Sequence, residues 1–144
     1  MLAFADTGFL ASLYLKESTS ARARAAMQGA PVPLPLTPLG ALELRNALNR
    51  AVHRQRISIA DRDALWRDVE TDITNGFLVP TPVASSDLHA KARELSDRYT
   101  ATLGTRTLDL LHIAAALLIE ANLFFSFDER QRQAAAGEGL EVKP

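Results

Sequence analysis

Four acidic side chains, Asp6, Glu43, Asp109 and Asp128, recur at comparable places in an otherwise apolar pattern although they lie far apart in the chain. Each sits where an apolar strand hands over to a helix or in the opening turns of an apolar helix: Asp6 in LAFADTGFL, Glu43 in TPLGALELRNAL, Asp109 in RTLDLLHIAAAL and Asp128 in LFFSFDERQ. A parallel sheet collects the carboxyl ends of its strands along one rim, so separate junctions bring such side chains into one crevice. Carboxylates gathered there repel one another, and a divalent cation offsets the repulsion. The chemistry implied is that of a cation held by oxygen ligands. The chain has no cysteine, which excludes disulfides, thiolate nucleophiles and cysteine-based metal sites.

Each position also has a purely local reading. An Asp at a helix start accepts a bond from a free backbone N–H and meets the positive end of the helix dipole, and taken singly Asp109 and Asp128 read more readily as caps than as ligands. Asp6 follows four apolar residues and precedes Thr7 and Gly8, a hydroxyl and a small residue that let a ligand approach the backbone. Glu43 lies beyond the usual capping positions with Asn46 on the same helix face, although a surface Glu is commonly no more than solvated. Asp109 is the only formal charge in the run 108–119. Burying it unpaired costs roughly several kcal/mol, which a cation would offset.

The elements that must position these residues alternate along the chain. Strands are expected over 2–5, 33–37, 77–79, 123–127 and 140–143, and helices over 8–15, 18–28, 38–53, 58–74, 85–100, 107–121 and 129–136. Pro38 suits a first helical turn, Ser58 a cap, and Asn122 the end of the helix before the fourth strand. The prolines of 33–37 favour a strand end or an edge. Helix 107–121 is apolar almost all round and therefore central, and 123–127 reads as a strand buried on both faces. The alternation implies one α/β domain spanning 1–144, layered α/β/α around a mostly parallel sheet of four to five strands.

With 47% hydrophobic and 23% charged residues and a net charge of −1, the chain has the balance of an ordinary globular domain with no overall demand for a polyanionic partner. Arg45, Arg50, Arg54 and Arg56, with Asn49 and His53 among them, concentrate positive charge toward the end of the Glu43 helix. They read either as a phosphate grip or as a solvated helix face. Arg106 and Arg130, near two of the acids, are further phosphate contacts or ion-pair partners. His112, one turn after Asp109, reads as a satisfied core histidine, and no histidine is assigned to a metal. The N-terminus lacks the basic region of a secretion signal, and polar residues interrupt 108–127, so no membrane span and a cytoplasmic protein are expected.

The segments around Asp6-Thr7, Glu43 in ALELRNAL, the run from Arg106 to Ala116 and Phe125-Ser126-Phe127-Asp128 resemble, in order and spacing, the PIN-domain ribonucleases and specifically the VapC-type toxins of bacterial toxin–antitoxin pairs. The resemblance spans essentially the whole chain. It implies a PIN-like α/β/α domain and a divalent-metal-dependent endoribonuclease, with Asp6, Glu43, Asp109 and Asp128 holding Mg²⁺ or Mn²⁺ directly or through water. Thr7 and Ser126 would be polar supports, Ser126 standing where the family often has Thr. Asp128 stands at a position whose acid varies in the family. Products with a 5′-phosphate and a 3′-hydroxyl and an antitoxin partner that directs an Arg at the acids are also implied; separately, the apolar surface expected on helices 38–74 would support a homodimer. The alternative is a catalytically inactive PIN-like module that binds RNA or protein. An acidic phosphoacceptor domain is disfavoured, because Lys143 lies too close to the end of the chain to be its late lysine.

Overall fold

The structure, a computed structural model, describes all 144 residues, Met1–Pro144. In chain order the elements are β1 (Ala3–Ala5), α1 (Thr7–Tyr14), α2 (Ser20–Met27), β2 (Leu34–Leu36), α3 (Pro38–His53), α4 (Ile59–Thr74), β3 (Leu78–Pro80), α5 (Ser85–Leu95), α6 (Ala101–Leu103), α7 (Thr107–Leu118), β4 (Leu123–Phe125), α8 (Glu129–Gly137) and β5 (Glu141–Lys143), with a single π-helical turn, Ser96–Thr100, between α5 and α6.

Helix starts follow local hydrogen-bond chemistry. Thr37 Oγ1 accepts the Gly40 N–H at 3.0 Å ahead of Pro38 at the start of α3. Ser58 and Asp61 form a reciprocal capping box on α4, the Ser58 N–H donating to Asp61 Oδ2 at 2.9 Å and the Asp61 N–H to Ser58 Oγ at 3.0 Å.

All five expected strands form and all pair in parallel, β1–β4–β5 in one ladder and β2–β3 in another. β2 lies beside β1 without being laddered to it. The cause is in the sequence. The Leu34 N–H donates to Phe77 O and Leu36 O accepts from the Thr81 N–H, so both leucines turn their backbone groups toward β3. Residues alternate sides along a strand, which leaves Pro35 facing β1, and proline has no N–H to give.

The same alternation divides the core. Ala3, Ala5, Leu123 and Phe125 face one layer with Phe9, Leu44, Leu48 and Val69 of α1, α3 and α4. Phe4 and Phe124 face the other, with Leu95, Ile113 and Ala134 of α5, α7 and α8. This is the three-layer α/β/α arrangement expected. Two segments differ in detail. The helix expected over 85–100 continues through the π turn into α6. Helix α7 ends at Leu118 rather than 121, because Ile119 caps it and Glu120 takes φ +59° to reverse the chain. Asn122 is therefore not its cap, and its side chain accepts the Leu2 N–H at 3.0 Å instead. No helix is long and apolar enough to cross a membrane.

Candidate functional site

Asp6, Glu43, Asp109 and Asp128 all line one cavity of about 460 Å³. Its other walls include Thr7, Gly8, Ser12, Glu17, Thr19, Asn46, Arg50, Arg106, His112 and Phe127. The cavity opens at the carboxyl ends of β1 and β4, the two neighbouring strands that run directly into Asp6 and into Ser126. Glu43 comes from α3 and Asp109 from the first turn of α7.

Asp6 terminates β1 and caps α1. Its Oδ1 accepts the Phe9 N–H at 2.7 Å, and the residue is only 6% exposed. Burial pushes its carboxyl up from 3.8 to about 6; the Ser126 hydroxyl, the Phe9 N–H and His112 offset part of that rise, and the Asp109 charge adds to it. Glu43 is the opposite case. Burial pushes it up, but the hydrogen bond and charge of His112 and the Thr7 hydroxyl outweigh burial and leave it below its usual value. Thr7 Oγ1 donates to Glu43 Oε1 at 3.0 Å and lies 3.3 Å from His112 Nε2, which itself hydrogen-bonds Glu43 Oε1.

Asp109 meets Arg106, whose Nε donates to Oδ2 at 3.3 Å, and the same guanidinium stands 4.0 Å from Asp128 Oδ2. Asp128 caps α8 by accepting the Gln131 N–H at 2.9 Å. Gln131 is buried and ties these parts together. Ser126 Oγ donates to its Oε1 at 2.8 Å, and its Nε2 donates to Asp109 O at 3.1 Å, joining the start of α7 to the turn after β4. Ser126 Oγ also accepts the Asp128 N–H at 3.1 Å.

Of the arginines singled out from sequence, Arg50 and Arg106 line the cavity. Arg45 stacks on Trp66, 5.1 Å from the ring centroid, and Arg54 caps the far end of α3, so neither faces it. Arg56 bonds Lys16 O, and Arg130 bonds Gly104 O rather than an acid. Sequence reasoning assigned His112 to the core, and it singled out neither Gln131 nor the cavity-wall residues Ser12, Glu17 and Thr19. For His112 the signal was its position one turn after Asp109; Gln131 carried none beyond standing three residues after the capping Asp128.

No three acidic or histidine side chains are disposed to ligate one ion as they stand. Arg106 engages Asp109 and Asp128, while His112 and Thr7 hold Oε1 of Glu43. The donor set still fits a hard divalent cation. Five carboxylates, Glu17 and the four above, share one water-accessible cavity, and burial holds the most enclosed of them, Asp6, toward its neutral form.

A family model described as PIN domain matches residues 3–137. No curated relative matches the chain. Among solved structures, VapC20 of Mycobacterium tuberculosis, described as a Sarcin-Ricin loop cleaving toxin, is 20% identical with a TM-score of 0.71 and covers 99% of each chain. FitAcB from Neisseria gonorrhoeae is 16% identical with a TM-score of 0.70, covering 99% of this chain and 97% of that one. A toxin–antitoxin complex from Klebsiella pneumoniae is 17% identical with a TM-score of 0.58, covering 88% and 86%. At these identities the neighbours establish the fold. The family match, spanning nearly the whole polypeptide, establishes membership: the chain belongs to the PIN-domain family.

Proposed function

We propose that the protein is a divalent-metal-dependent endoribonuclease that hydrolyses RNA phosphodiester bonds and serves as the toxin of a toxin–antitoxin pair. The observation that carries this reading is the meeting of Asp6, Glu43, Asp109 and Asp128, from four separate segments, on one cavity of a PIN-domain chain. The fold is shared with a protein described as a Sarcin-Ricin loop cleaving toxin and with a toxin–antitoxin complex, which supports a nucleic-acid loop as substrate and an antitoxin as partner.

Asp6, Glu43, Asp109 and Asp128 would hold Mg²⁺ or Mn²⁺. When bound, such a cation acidifies water and neutralises charge developing on the phosphate oxygens. Arg106 leaves Asp109 and Asp128 to contact phosphate, and Arg50 grips it from α3. Arg45 and Arg54, outside the cavity, serve flanking RNA. Thr7 fixes Glu43, and Ser126 steadies the turn that carries Asp128. Two copies associate through the exposed apolar groups of α3 and α4.

The test is incubation of the purified protein with defined RNAs and Mg²⁺ or Mn²⁺, alongside Asp6→Asn and Asp109→Asn. Cutting that requires the cation and vanishes in both variants is expected. Cutting that survives EDTA and both substitutions overturns the assignment. The engagement of Asp109 and Asp128 by Arg106 favours, as a second reading, a PIN-like module that binds RNA or protein without cleaving it. RNA retained intact under every condition selects that reading.

A further inference from the structure

We infer that His112 is a positioning residue that fixes which oxygen of Glu43 is offered to the cation; the inference rests on the metal-dependent reading of the site. His112 is 3% exposed, packed on the buried side of α7 with its ring centroid 6.1 Å from that of Phe4. Its Nδ1 is buried with no hydrogen-bond partner, the single such side-chain atom in the protein. Leaving a buried polar atom unsatisfied is costly, and an apolar side chain would fill the same space without that cost. What the imidazole adds is therefore its other nitrogen.

That nitrogen is committed to Glu43. Nε2 hydrogen-bonds Glu43 Oε1, and Thr7 Oγ1, 3.3 Å from Nε2, donates to the same oxygen at 3.0 Å. The three side chains close a small ring contributed by α1, α3 and α7. Oε1 is thus held by two donors, while Oε2 receives no hydrogen bond from the protein although Glu43 lines the cavity. The ring locks the carboxylate with one oxygen turned into the wall and the other left for a cation. A Glu carries three rotatable side-chain bonds, and ordering them before the ion arrives removes that entropy from the cost of binding.

The experiment measures Mn²⁺ binding to the purified full chain, by calorimetry and by the paramagnetic signal of free Mn²⁺, for wild type, His112→Leu and His112→Gln. Leucine keeps the bulk and removes the donor, whereas glutamine places an amide N–H near the Nε2 position. Removing a group that orients a ligating side chain typically weakens metal affinity about 10–100-fold, and H112L is expected to fall in that range. H112Q recovers most of the loss. The rise in melting midpoint on adding Mn²⁺ shrinks in H112L in parallel, and its recovery in H112Q separates the donor's role from packing.

Equal Mn²⁺ affinity in wild type and H112L overturns the inference and leaves the metal reading intact. So does a glutamine variant as weak as the leucine one, because packing then accounts for the loss. Absence of Mn²⁺ binding by the wild type overturns the metal reading itself, and this inference with it.

Discussion

Asp6 ends β1 and opens α1, and both jobs keep it out of water, so its ionised form is held at a cost in the metal-free protein. Its carboxyl moves from 3.8 to about 6 on folding, with burial the main cause. A raised carboxylate favours folding fully below the open-chain value, and that contribution is lost as pH climbs through about 6. The difference amounts to about 3 kcal/mol. Asp6→Asn keeps an oxygen for the Phe9 N–H and removes the charge. In EDTA the variant is expected to melt higher than wild type at pH 8, with the gap closing toward pH 4. Melting curves at the two pH values check this, and a gap that does not change with pH means the carboxyl is not buried as described. Of the site's side chains the four acids were legible, because a charge at an apolar junction stands out from its neighbours. His112 was not, since a histidine in an apolar helix looks the same in sequence whether its ring meets a carboxylate or only fills the core.

At the scale of elements, the turn from β4 into α8 does two jobs with one residue. Asp128 both lines the cavity and accepts the Gln131 N–H as the cap of α8. Substitution separates these roles. Asp128→Ala removes the cap and is expected to lower stability by about 1 kcal/mol, whereas Asp128→Asn retains it at little cost. If the acid also serves the cation, both variants lose cutting although only one loses stability; denaturant titration and the RNA assay together read this out. Full activity in the Asp128→Asn variant would reduce Asp128 to a cap. Most elements were legible because apolar periodicity and caps such as Ser58 and Pro38 mark them locally. The π turn at Ser96–Thr100 carries no such local mark, and the early stop of α7 answers to a tertiary demand: the chain reverses at Glu120 so that Asn122 can meet the Leu2 N–H and β4 can enter the sheet beside β1.

Over the whole molecule, parallel pairing of β1 with β4 sets Asp6 beside the turn that leads to Asp128, and layers on both faces of the sheet carry Glu43 and Asp109 to the same cavity. Sequence alternation predicted that layering. The break between β1 and β2 was legible only in part: Pro35 was visible, but which neighbour it faces depends on register. The outer faces of α3 and α4 expose Leu42 and Ile59, 66% and 60% accessible. If two copies pair there, L42D combined with I59D yields a monomer in sedimentation where wild type gives a dimer, and an unchanged oligomeric state places the interface elsewhere. The strongest whole-molecule consequence concerns the cation. Five carboxylates on one cavity, those of Asp6, Glu17, Glu43, Asp109 and Asp128, against the two guanidinium groups of Arg50 and Arg106 among its walls, leave negative charge that folding has assembled and only partly compensated. A cation that binds the folded chain alone stabilises it by mass action, about 2.7 kcal/mol at a hundred times its Kd. For a chain of this size that corresponds to a rise in melting midpoint of roughly 5–10 °C. The rise should appear with Mg²⁺ or Mn²⁺, vanish on adding EDTA, and be largely absent in D109N, which loses a ligand without losing a cap. Identical melting in EDTA and in excess cation would mean that the internal partners Arg106 and His112 already satisfy the acids, and the fold would then be a binding module rather than a nuclease.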